Sequence, residues 1–270
     1  MEQPKNNIKI IADKKNARVI LPNMLTLIGV CIGLTSIRFA LSGEFHLAII
    51  AIMFAALFDG LDGRIARLIK GTSKVGKELD SLTDMISFGV APAFIMYFWK
   101  LNTLGRFGWL LCLVYVICVA LRLARFNVNS SQEASWKDNF FEGVPSPAGG
   151  ILVLTPLIIS LSEFDYIQLN YDIIVPIFFI STSFLLISKF PSYSFKKIVI
   201  QRKTTIFLLF GIVLFFGLLL IYTFEVIAIS SIIYLLLLPI SFLHYSKIKK
   251  SQENDNIQDQ NEEDLEDILW

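Results

Sequence analysis

Apolar stretches of about twenty residues recur along the whole chain, separated by short polar clusters, which is the length a helix needs to cross a bilayer. Eight such stretches stand out, near residues 22–42, 45–68, 79–99, 107–127, 147–163, 172–190, 204–222 and 224–244. The pattern predicts an all-α, polytopic transmembrane helix bundle, because helices satisfy their own backbone polar groups in lipid. The second, third and fourth stretches carry ionisable residues at one end, which a purely structural span would avoid. There is no internal repeat, and the longest polar stretch is the C-terminal tail.

Composition agrees with this picture: 54% of the 270 residues are hydrophobic and 23 are Phe, outside the range of soluble globular domains. The formal charge of +1 hides an asymmetry. The last twenty residues, SQENDNIQDQNEEDLEDILW, hold eight of the 23 acidic residues and no Lys or Arg, so residues 1–250 carry 24 basic against 15 acidic residues. That surplus suits either anionic headgroups and phosphorylated substrates or the charge that sets topology. The N-terminal segment, the second, fourth and sixth connections and the C-terminal flank hold 21 of the 24 basic residues; Arg38, Lys100 and Arg106 are the rest. The positive-inside rule then places both termini in the cytoplasm.

The expected organisation is an amphipathic juxtamembrane segment over 1–20, a membrane domain over 21–190, two further helices over 191–246 and an acidic disordered tail over 247–270. The N-terminal segment has no apolar core ahead of a cleavage site, so no removable signal is expected. Cys31, Cys112 and Cys118 lie in apolar runs without metal-ligand spacing and read as small core residues.

The stretch DGLDGRIARLIKGTSKVGKELDSLTD, Asp59 to Asp84, breaks the apolar pattern most sharply. Asp59 and Asp62 are three apart and Asp80 and Asp84 four apart, so on helices each pair shares a face. The pairs fall at the ends of two successive antiparallel spans, joined by a turn around Gly71 to Gly76, and converge. An ionised Asp within a span costs about 2.5–3.5 kcal/mol on insertion scales, so a cation must compensate. Hard carboxylate oxygens suit Mg²⁺ or Mn²⁺, and a metal pair is a recurring device in phosphoryl chemistry. The alternative is a loop of solvated charges. Gly60, Gly63, Ala66 and Gly76 leave room for a close ligand, and Arg67, one turn beyond Gly63, is placed to bind a phosphate.

The spacing D-x2-D-G-x2-A-R-x8-G-x3-D-x3-D, filled by Asp59, Asp62, Gly63, Ala66, Arg67, Gly76, Asp80 and Asp84, resembles the signature of the CDP-alcohol phosphotransferase family. The resemblance implies a six-helix core with about two C-terminal helices appended. It implies an integral membrane enzyme that moves a phosphatidyl or related group from a CDP-linked donor to an alcohol, releasing CMP. By the same resemblance Asp59, Asp62, Asp80 and Asp84 hold two divalent ions, Mg²⁺ or Mn²⁺, and Asp84 is also the catalytic base. Gly63, Ala66, Arg67 and Gly76 contact the cytidine and diphosphate. Pro22 to Thr26, PNMLT, is similar to the segment that opens the first core helix of the family, where Asn23 and Thr26 either reach the nucleotide or simply start a helix.

The acceptor has to be read elsewhere. Arg122 and Arg125 in LRLARFN, followed by FFEGVPSPAGG, resemble the phosphatidylserine synthase branch, although Val144, Gly149 and Gly150 depart from its pattern. That likeness implies CDP-diacylglycerol and L-serine as substrates, with Arg122, Arg125, Asn127 and Ser146 as candidate serine-binding residues. Positive-inside anchoring for the arginines and a rigid turn at Pro145 and Pro147 are the plainer readings. Glycerol 3-phosphate, inositol phosphate or choline is the alternative acceptor, and a cation-binding transporter the alternative class. Membrane lipids and, by family likeness, a second copy of the chain are the expected partners, and no nucleic acid is. The active site is expected on the cytoplasmic side of the cell membrane.

Overall fold

The computed structural model describes residues 14–69, 71, 73–129, 140–163, 170–188, 191–193 and 202–241. They form eight helices: α1 (Lys14–Leu41), α2 (Phe45–Leu68), α3 (Lys74–Trp99), α4 (Arg106–Asn129), α5 (Ser146–Leu161), α6 (Tyr171–Ile187), α7 (Arg202–Ile221) and α8 (Thr223–Ser241). Five are long and apolar enough to cross a membrane, and α5, α6 and residues Thr205–Ile221 of α7 are apolar but shorter. Two three-residue strands, Phe140–Glu142 and Pro191–Tyr193, pair antiparallel and tie the α4–α5 connection to the chain after α6. Residues 1–13 and 242–270 lie outside the described set, and with them most of the 1–20 segment and the acidic tail. Within it, α1 runs unbroken from Lys14 through Pro22 into the first span.

Small residues allow the helices to approach, as membrane helices require when lipid is no worse a neighbour than leucine. α1 and α2 form a hairpin through Gly43, whose φ of 79° suits only a residue without a side chain. α1 meets α3 where Gly33 faces Ser87 so closely that an added Cβ would sit 2.5 Å from the serine oxygen. α5 meets α3 where Gly150 lies against Phe88. The core they enclose is built from Ile49 and Ile52 of α2, Phe88, Ile95 and Met96 of α3, Tyr115 and Val119 of α4, Leu152 to Leu154 of α5 and Phe179 of α6.

α3 is not uniform. Directly after Asp84 its winding widens to a π-helix over Met85–Val90 before returning to α-helix at Ala91. π turns are rare and cluster at functional sites. The buried Tyr115 hydroxyl donates to the Phe88 carbonyl at 2.8 Å, a cross-helix bond inside the widened segment. At the far end of the bundle Lys100 and Asp172 form an ion pair of 3.0 Å between the end of α3 and the start of α6. The outward side chains of α4, such as Leu110, Leu113 and Ile117, are apolar and exposed, as a lipid-facing surface demands. Cys112 and Cys118 are buried as expected, but Cys31 is on this exposed surface rather than in the core, because its position on α1 faces away from α2 and α3.

Candidate functional site

Both acidic pairs lie on helix, not on loop. Asp59 and Asp62 occupy the final turns of α2, and Asp80 and Asp84 the first three turns of α3. The connection is tighter than a turn spanning Gly71 to Gly76: α3 begins at Lys74, with Ser73 as its cap, whose Oγ accepts the Gly76 N–H at 2.9 Å. Gly76 is therefore already helical. It sits against Asn23 of α1, where a Cβ would come 2.8 Å from Asn23 Oδ1.

Carboxylate oxygens of Asp59, Asp62 and Asp80 lie within 4.8 Å of one another. The Asp84 carboxyl adjoins that of Asp59 at the deep side of the cluster, and its Oδ1 is buried with no hydrogen-bond partner among the described residues. Asp62, itself buried, accepts a 2.6 Å hydrogen bond from Thr26 Oγ1, and the same hydroxyl also lies 3.0 Å from the Pro22 carbonyl. Three carboxylates this close, with a fourth carrying an orphan oxygen, are unstable without positive charge, so the donor set fits a hard divalent cation.

All six residues expected to contact the nucleotide, Asn23, Thr26, Gly63, Ala66, Arg67 and Gly76, line one cavity of about 700 Å³ together with Asp62 and Asp80. Arg67 Nε donates to the Gly63 carbonyl at 3.1 Å, which holds its guanidinium along the cavity wall. A Cβ on Gly63 would meet no protein atom within 4 Å, so packing does not require glycine there; space for a ligand would. Ser73, Lys74 and Lys77 also line the cavity and were not singled out from the sequence. The signal was present in part: Ser73 is a capping residue that marks a helix start, and Lys74 and Lys77, three apart, then share one face of that helix.

The four candidate acceptor-binding residues separate into two groups. Arg122 donates through Nη1 to Ser146 Oγ, and both adjoin Asp84. The Arg122 Nε is buried and unpartnered among the described residues. Arg125 instead donates to the Ile187 carbonyl at 2.7 Å, closing the end of α6, and Asn127 reaches Ser81 at 3.0 Å on α3. Only the first group faces the carboxylates.

The sequence matches the CDP-alcohol phosphatidyltransferase family over residues 19–243. Among curated proteins it is similar to the CDP-diacylglycerol–serine O-phosphatidyltransferase of Mycobacterium leprae, 43% identical over 174 residues, which cover 64% of this chain and 57% of that protein. It is also similar to proteins of the same name from Helicobacter pylori, 34% identical over 201 residues covering 74% of this chain and 83% of the relative, and from Bacillus subtilis, 33% identical over 177 residues covering 66% and 92%. The chain spans little more than half the length of the mycobacterial relative.

Proposed function

The chain belongs to the CDP-alcohol phosphatidyltransferase family, and we propose that it transfers the phosphatidyl group of CDP-diacylglycerol to the hydroxyl of L-serine, giving phosphatidylserine and CMP. The observation that carries this reading is the order of groups around the acids. A polar cavity ending in Asp62 and Asp80 lies on one side, and Asp84 with Ser146 and Arg122 on the other. The names of the relatives support serine as the acceptor.

In this reading the cytidine and diphosphate occupy the cavity of Asn23, Gly63, Ala66 and Gly76, with Arg67 against a phosphate oxygen. The cluster of Asp59, Asp62 and Asp80, with Asp84 beside it, would hold two divalent ions, Mg²⁺ or Mn²⁺, which would supply the charge that neutralises the diphosphate and stabilises CMP as a leaving group. Thr26 fixes the Asp62 carboxylate for this task. Asp84 takes the proton of the serine hydroxyl as its oxygen bonds to the phosphorus bearing diacylglycerol. The bond from that phosphorus to the bridging oxygen breaks, and CMP departs. Arg122, steadied by Ser146, binds the serine carboxylate. Arg125 and Asn127 hold the surrounding helices in place.

The six helices up to residue 190 form the catalytic domain in this reading, and the site opens to the cytoplasm, where the basic connections lie. The protein works as a homodimer by its family likeness. The decisive assay is CMP release from labelled CDP-diacylglycerol by the purified protein, with a panel of alcohols and Mg²⁺, Mn²⁺ or chelator. Release with serine that chelator abolishes is expected. Release only with glycerol 3-phosphate, inositol phosphate or choline would replace the acceptor, and none with any alcohol would sink the enzymatic reading.

A further inference from the structure

In an α-helix each carbonyl accepts a hydrogen bond from the amide four residues on. Four residues on from Phe88 stands Pro92, which has no N–H and whose ring crowds that carbonyl, so the Phe88 carbonyl has no α-helical donor. The widened turn Met85–Val90 ends just before this proline. The Tyr115 hydroxyl of α4 takes the place of the missing amide, donating to the Phe88 carbonyl at 2.8 Å from a wholly buried side chain. We propose that Tyr115 is a positioning residue for the reaction given above, on which the proposal rests: its hydroxyl pins the widened turn and thereby keeps Asp84, the residue directly before it, facing the other carboxylates.

One face of α4 spans the turn from end to end. Tyr115, Val119 and Arg122 recur along it at helical spacing. Tyr115 bonds to Phe88 inside the turn, Val119 packs at Gly89, where an added Cβ would come within 3.2 Å of it, and Arg122 adjoins Asp84 at the turn's start. A π turn holds one residue more than an α turn, and shifting it along a helix rotates each residue it passes by about 100°. Asp84 is the first residue such a shift toward Lys74 would meet. Its Oδ1 is buried with no hydrogen-bond partner among the described residues, so that oxygen takes its direction from the backbone beneath it rather than from a bond of its own. The other side-chain tie on the turn, from Ser87 Oγ to the Gly29 carbonyl, is 3.4 Å long and correspondingly weak, which leaves the tyrosine as the strong one.

The test uses the full-length protein in lipid nanodiscs, at a temperature well below the Tm of every variant. Tyr115→Phe removes the hydroxyl and keeps the ring. It is expected to lower kcat for CMP release about tenfold, with the KM values for donor and serine within about twofold of wild type, because a small misplacement of a reacting group is felt in the chemical step. Phe179→Leu, which removes the ring 5.5 Å from that of Tyr115 and leaves the hydroxyl, should lower Tm at least as far and leave kcat unchanged. Adding Pro92→Ala to Tyr115→Phe returns an amide donor to the Phe88 carbonyl and should recover most of kcat. Independently of turnover, spin labels at Leu82→Cys and Leu110→Cys, with Cys31→Ser to remove the exposed thiol, should report one distance when Tyr115 is present and a second population in Tyr115→Phe. An unchanged kcat or a single distance in Tyr115→Phe, an equal fall in kcat for Phe179→Leu, or a loss that Pro92→Ala does not recover would overturn the inference. A second distance population in a protein that releases no CMP would instead count against the proposed reaction alone.

Discussion

Thr26 of α1 donates its hydroxyl to Asp62 of α2 at 2.6 Å, so a helix without an acid of its own at the cluster orients one of the three carboxylates. Partners of this kind commonly control metal affinity about 10–100-fold. Thr26→Val keeps the shape and removes the donor. We expect it to raise the Mg²⁺ or Mn²⁺ concentration needed for half-maximal CMP release at least tenfold, with maximal turnover largely recovered at saturating metal. A metal titration checks this, and an unchanged midpoint would show that Asp62 is oriented by other means.

Gly63 and Gly76 lie on opposite sides of the nucleotide cavity and are glycine for different reasons. Gly63→Ala meets no protein atom and gains about 1 kcal/mol of helix propensity, so its Tm should hold or rise while donor KM increases sharply. Gly76→Ala collides with Asn23, so both Tm and donor affinity should fall. Thermal unfolding alongside donor kinetics separates the two. A fall in Tm for Gly63→Ala would mean that protein, not ligand, fills that space.

The two arginines of α4 should part company under substitution. Arg122→Gln is expected to raise the KM for serine more than tenfold with little change in donor KM, because its guanidinium faces Asp84 through Ser146. Arg125→Gln loses the bond to the Ile187 carbonyl and should lower Tm, at a cost of about 1.5–3 kcal/mol for a hydrogen bond to a charged group. A serine KM that responds to Arg125 and not to Arg122 would reverse the assignment.

Gly33→Ala should destabilise the protein by about 1–3 kcal/mol through overpacking, since its Cβ would press on Ser87, including the backbone at 3.1 Å. Adding Ser87→Gly removes the hydroxymethyl group and should restore part of the loss. Unfolding midpoints of the single and double variants give the coupling directly, and full additivity would refute the contact.

Spans and acids were legible in the sequence for a simple physical reason: both are set by residues close together in the chain. The apolar run at 45–68 coincides with α2, and the acid spacing on two helices ensures convergence once those helices are antiparallel. The start of α3 was less legible, because Lys74 to Leu79 is a polar, amphipathic stretch that hydropathy alone leaves in the loop; Ser73 was the overlooked capping signal. Arg122 and Arg125 could not be told apart, since three residues on a helix put both on one side and only the distant partners, Ser146 and Ile187, distinguish them. Nothing in Met85–Val90 announces a π turn. The contacts that accompany it are tertiary: Gly33 and Gly150 leave room for Ser87 and Phe88 to approach, and the Tyr115 hydroxyl donates to the Phe88 carbonyl.

That widened turn makes α3 a helix with two independent phases. Asp80 and Asp84 are counted in one register and the apolar residues from Ala91 onward in another, with the extra residue absorbed between them. Deleting one residue from Met85–Val90 would return the segment to ordinary α-helix and leave the carboxylates facing as they do, whereas a deletion between Ala91 and Trp99 would turn them by about 100° relative to the residues beyond it. The six residues of the widened turn thus take up one residue of excess length, and the acids keep their facing relative to the buried half of the helix.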